Sequence, residues 1–114
     1  MAPTDSPSDA REEIADRTIR ALTESMSVTT LDGTPVDDPE TTVVSVTTES
    51  GSCYDVDTRE GRCSCPDAQH RDPDGGCKHV RRARFALGSA TVSARMLRVF
   101  DVDPTLGANA PGPR

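Results

Sequence analysis

The chain is short of what a large apolar core requires. It has no tryptophan, one tyrosine and two phenylalanines in 114 residues, and 33% of its residues are hydrophobic. A domain with so thin a core draws stability from another source, such as a bound metal. Also missing is any apolar run near the ~18–20 residues needed to span a bilayer. The start, Met1-Ala2-Pro3-Thr4-Asp5, has no signal-peptide core. A cytoplasmic location with no membrane partner is therefore expected. Lysine is nearly absent, Lys78 standing alone among 13 basic residues. With abundant Asp and Thr, this composition resembles that of halophiles that accumulate salt, whose carboxylate-rich surfaces stay hydrated. The net charge of −6 argues against a uniformly basic nucleic-acid binder.

What is present is concentrated in one stretch. Cys63 and Cys65, then Cys77 and His79, follow the pattern C-x-C-x11-C-x-H. Each pair is a short chelating clip, and the intervening residues are rich in turn formers that let the chain double back. Three thiolates and an imidazole close a tetrahedral shell around zinc, and a shell of four protein ligands is structural. A disulfide between Cys63 and Cys65 would close a strained, very small ring, and pairing either with Cys77 would leave His79 unexplained. In a reducing compartment clustered cysteines favour metal. Cys53 and His70 are the two residues that compete for a place in the shell. Neither belongs to a two-residue clip. Cys53 is expected to pack as a small apolar side chain and His70 to face solvent.

The order C-x-C, variable loop, C-x-H resembles the SWIM zinc finger. Tyr54-Asp55-Val56, Cys65-Pro66-Asp67 and Cys77-Lys78-His79-Val80 are similar to its small archaeal members. The likeness covers about residues 42–88, and extends more loosely over 20–41 through Arg20-Ala21-Leu22-Thr23-Glu24. It implies an α+β fold in which a β-hairpin is followed by a helix, a ββα finger with the metal at the junction. It also implies the four ligands above and a role in binding DNA or proteins.

Read for organisation, residues 1–7 form a disordered leader, 8–41 carry a helix, a short strand and an acidic loop, 42–100 the finger and an amphipathic segment, and 101–114 a flexible tail. The N-terminal amphipathic helix is expected from about Ser8 to Ser25. Asp9 and Glu12 stand at capping-box spacing, and Ala15, Ile19, Leu22 and Met26 form an apolar stripe. Val28–Leu31 is a short strand. Thr42–Thr48 and Cys53–Asp57 form a hairpin around Glu49-Ser50-Gly51-Ser52, with Val44 and Val46 on one face. Residues 66–76 read as loop. A second helix starts near Cys77 and ends at Gly88, and Thr91–Phe100 is amphipathic, helix or strand.

Charge is uneven. From Arg59 to Arg98 nine basic and four acidic residues give +5, whereas four basic and fifteen acidic residues elsewhere give −11. The expected nucleic-acid contacts are Lys78, Arg81, Arg82 and Arg84 on the second helix and Arg71 in the loop. Residues 78, 81 and 82 are neighbours on one helix face. The alternative is a protein-interaction adaptor, suggested by the overall acidity and the apolar stripe. Catalysis and a small-molecule substrate are not expected, because a filled shell leaves no exchangeable metal position.

Overall fold

The β-branched run before residue 49 builds one of the two inner strands of a four-stranded sheet. The computed structural model describes residues 14–108. The elements are α1 (Asp16–Thr23), β1 (Met26–Thr29), β2 (Val43–Thr48), β3 (Cys53–Asp57), β4 (Arg62–Cys63), α2 (Pro66–Arg71), α3 (Lys78–Leu87), α4 (Ala94–Val99) and α5 (Thr105–Ala108). The strands form one antiparallel sheet in the order β1-β2-β3-β4. The expected hairpin is its centre, but the sheet extends beyond it on both sides. The fold is a small α+β unit.

Register explains the core. Val28 pairs with Val46, Val44 with Val56, and Val56 with Cys63. All five side chains are buried with Ile19 and Leu22 of α1 and Val80, Ala83 and Ala86 of α3. Helices α1 and α3 therefore cover one face of the sheet. The pairing of Val56 with Cys63 sets the first clip at the end of the valine ladder, so strand register places a candidate metal ligand.

Several boundaries differ from those expected. The capping residues Asp9 and Glu12 and the leader lie outside the described residues. Helix α1 stops at Thr23 because Glu24 is extended (φ −78°, ψ 148°), and Met26 opens β1. Ile19, Leu22 and Met26 of the stripe are buried in the chain's own core, while Ala15 is exposed. β1 begins and ends two residues earlier than expected, and it stops at Thr29 because Thr30 already belongs to the turn closed by Thr30 N–H to Thr34 O (2.9 Å). Within the segment 91–100, Ala94–Val99 is a helix, capped where the Ser93 hydroxyl accepts from Met96 N–H.

The largest departure concerns Arg82, which was expected on a solvent-facing helix surface. It is fully buried (0% exposed). Its Nη1 donates to Ala21 O (3.1 Å) and Glu24 O (2.9 Å), and its Nη2 to Met26 O (3.0 Å), Asp103 Oδ2 (2.5 Å) and Thr105 Oγ1 (3.0 Å). One guanidinium thus closes the C-terminal carbonyls of α1, the end of β1 and the chain beyond Phe100. Within the segment after Phe100, expected to be a tail, Asp103 and Leu106 are buried. Burial pushes the Asp103 carboxyl up, but hydrogen bonds from Arg82, from the Thr105 hydroxyl and from the Thr105 and Met26 amides outweigh it. The result is a pKa of about 2.

A folded pKa depressed below the ordinary carboxylate value contributes stability above that value, lost as pH falls through about 2. Wild type should therefore lose about 2 kcal/mol between pH ~5 and ~2 relative to Asp103→Asn. Urea unfolding at stepped pH measures this, and parallel pH profiles for the two proteins would contradict it. Arg82→Met leaves a buried carboxylate unpaired and should cost about 3–5 kcal/mol at neutral pH.

Candidate metal centre

Both clips are carried to the centre by helix starts. Cys65 is extended (φ −73°, ψ 158°), as expected of a residue before proline, and is the N-cap of α2 with Pro66 following. Residues 66–71, expected to be loop, form this helix. Asp72 ends it in the left-handed region (φ 42°). Cys77 is the N-cap of α3, close to the expected start. Two of the three sulfurs thus lie at positive helix ends, which favour thiolate.

Cys63, Cys65, Cys77 and His79 are all buried, and their donor atoms lie within 4.8 Å of one another. His79 Nδ1 is 3.8 Å from Cys63 Sγ and 3.7 Å from Cys77 Sγ. An ion with sulfur at about 2.3 Å and nitrogen at about 2.0 Å spans tetrahedral S···N edges of about 3.5 Å, so the cage fits a metal of that kind. The four residues can hold a metal ion. The Cys65 amide points at Cys63 Sγ and the Ala68 amide at Cys65 Sγ, both at 3.4 Å.

The thiols do not share charge equally. Cys77 is held down to about 3, first by hydrogen bonding from Cys63, against its own burial, with His79 and the Val80 amide adding to the effect. Cys63 is pushed up by that same contact and by burial, and Cys65 is pushed up by burial. Tyr54 lies over His79 with ring centroids 4.6 Å apart, which fixes the imidazole. Cys53 and His70 are outside the cluster. Cys53 is exposed and 2.7 Å from Ser45 Oγ, which lowers its thiol pKa; His70 is exposed on α2.

The residues expected to meet nucleic acid are mostly engaged with the protein itself. Arg82 is buried, as described, and is withdrawn from that role. Arg81 donates from Nε to Gly76 O (2.8 Å), from Nη1 to Thr18 Oγ1 (2.8 Å) and from Nη2 to Asp74 O (2.6 Å). It buttresses the loop before Cys77. Arg84 donates from Nε and Nη2 to Thr58 O. Lys78 pairs with Glu24 at 2.6 Å. Arg71 is 76% exposed, with only a 3.6 Å contact to Asp67.

One supporting pair was not anticipated. Arg17 grips Asp67 in a two-pronged fork, Nε to Oδ2 at 2.8 Å and Nη2 to Oδ1 at 2.9 Å, tying α1 to the helix that Cys65 caps. Nothing in the spacing of residues 50 apart signals it. Compared with family models, with curated proteins and with solved structures, the chain matches none.

Gly76 has φ +90°, and a Cβ there would lie 2.8 Å from Val80 Cγ1. Gly76→Ala should therefore cost about 1–3 kcal/mol and loosen the second clip, seen as weaker metal retention in a chelator competition. Unchanged retention would show that the loop relaxes without moving Cys77. Chelation of the metal should unfold the sheet–helix unit, and circular dichroism that stays native without metal would contradict a folding role.

Proposed function

We propose that the chain is a binding module organised by one structural zinc ion, and that its partner is nucleic acid. Three sulfurs and one imidazole form a donor set suited to zinc, and four buried protein ligands leave no exchangeable position. This supports a scaffold role and a non-catalytic protein. The resemblance of the C-x-C and C-x-H clips to SWIM fingers supports the same reading, as members of that family bind DNA or proteins.

The observation that carries the nucleic-acid reading is the exposed basic charge on and beside the segment that holds the Cys and His cluster. The segment from Arg59 to Arg98 has nine basic and four acidic residues. Arg59, Arg62 and Arg71 within it are exposed, and so is Arg20 on the adjoining helix. The adaptor alternative rested partly on the apolar stripe of α1, and burial of Ile19, Leu22 and Met26 removes that surface. Among the described residues no helix is long and apolar enough to cross a membrane.

Native mass spectrometry should show a gain of one zinc ion that is lost with chelator. The zinc-loaded chain should bind labelled DNA or RNA at low ionic strength. Its log K should fall linearly with log salt, by about 0.7–0.9 per phosphate contacted. Absence of binding at low salt would sink the nucleic-acid reading while leaving the zinc reading intact.

A further inference from the structure

The imidazole of His79 has fewer holds than a metal ligand normally has. Its Nδ1 faces the thiols, 3.8 Å from Cys63 Sγ and 3.7 Å from Cys77 Sγ, while its Nε2 is buried with no hydrogen-bond partner among the described residues. In metal sites the second ring nitrogen usually donates to a carboxylate, a carbonyl or water, and that bond fixes both the tautomer and the orientation of the ring. His79 lacks this brace. It also borders a cavity of about 480 Å³, so one side of the ring is not packed by protein.

The contact that remains is with an aromatic ring. Tyr54 lies against His79 with ring centroids 4.6 Å apart and planes inclined by 41°, at the short end of the range in which such rings attract. Sheet register puts it there. Tyr54 pairs with Val46 in the hairpin, and two residues on, Val56 pairs with Cys63. Residues two apart share a sheet face, so one face of β3 serves two of the four candidate ligands, Cys63 through Val56 and His79 through Tyr54. The strand itself supplies no ligand. The phenol hydroxyl of Tyr54 is not the operative group, because Nε2 has no partner.

We infer that Tyr54 is a positioning residue for the metal centre: its ring takes the place of the missing hydrogen-bond acceptor, keeps His79 Nδ1 turned to the thiols, and so keeps the fourth coordination position closed to outside ligands. The inference rests on the metal reading above and names what makes that site structural. Three thiolates alone leave a position open to water or another small ligand. Closure therefore depends on a side chain outside both clips.

The test is absorption spectroscopy of the cobalt(II)-loaded full chain with and without azide, a small anion that binds an open metal position. Wild type is compared with Tyr54→Phe, Tyr54→Leu, Tyr54→Thr and Val28→Ala. The last removes buried apolar bulk from β1, at the opposite margin of the sheet from β4. Wild type and Tyr54→Phe should show tetrahedral cobalt bands that azide does not move. Tyr54→Leu and Tyr54→Thr should show bands that shift with azide, and should yield their metal to a chelator about tenfold more readily than wild type. The leucine variant keeps apolar bulk without a flat ring, and carries the test if the threonine variant does not fold. Val28→Ala should melt at a lower temperature and stay insensitive to azide. Azide-insensitive spectra in the leucine variant, an azide response in Val28→Ala, or a phenylalanine variant that behaves like the leucine one would each overturn the role of the Tyr54 ring while leaving metal binding in place. Wild type that responds to azide would overturn the closed position. Wild type that takes up neither cobalt nor zinc would overturn the metal reading itself.

Discussion

Helix α3 must send two side chains inward from the same face, one turn apart. His79 goes to the thiol cluster and Arg82 to the carbonyls of α1 and β1 and the carboxylate of Asp103. A helix advances about 100° per residue, so no rotation of α3 satisfies one of these and misses the other by much. The Cys and His cluster and the buried ion pair are thus set by a single variable, the phase of α3 about its axis. The chain before it limits that phase: Gly76 approaches Val80 more closely than any side chain would permit, and Arg81 clamps the loop from the other side. Sheet, N-terminal helix and C-terminal segment are then assembled around this helix.

Much of this was legible in the sequence, and the rest was hidden for identifiable reasons. The hairpin, the start and end of α3 and the gathering of Cys63, Cys65, Cys77 and His79 follow from local rules, namely β-branching, glycine at a helix end and clip spacing. Helix α2 was hidden because Asp, Pro and Gly after Arg71 drew the whole stretch toward a loop, although Pro66 after Cys65 is a helix-start pair. The burial of Arg82 was also readable. Taking the ligand His79 as the buried phase marker places 79, 82, 83 and 86 on one inward stripe, at i, i+3, i+4 and i+7. Grouping by charge instead of by phase put Arg82 outside. Asp103 was beyond such reasoning, since nothing local announces a partner 21 residues away.

The basic residues accordingly divide by task. Arg81, Arg82 and Arg84 act as internal fasteners, each donating more than one hydrogen bond to carbonyls or hydroxyls of distant segments. A planar group with five donors suits that work better than an ammonium, which fits the near absence of lysine. Thin apolar cores need such fasteners, because backbone groups at helix and strand ends would otherwise be buried unsatisfied. The outward field of the segment from Arg59 to Arg98 is therefore set by its exposed cations, such as Arg59, Arg62 and Arg71, and not by its whole charge excess.

The closure around Met26 also bears on how this chain meets copies of itself. An antiparallel sheet normally ends in a strand whose free amides and carbonyls invite another strand to pair. At β1 that invitation is withdrawn at Met26, whose N–H is bound by Asp103 and whose carbonyl accepts from Arg82 and Thr105. At the opposite margin β4 is only two residues long, too short to template an added strand. The segment after Phe100 thus works as a selvedge, a woven border that keeps the fabric from being extended or unravelled. A protein ending before Asp103 would have the same valine ladder and an unguarded margin, and with it a route to strand-to-strand polymerisation.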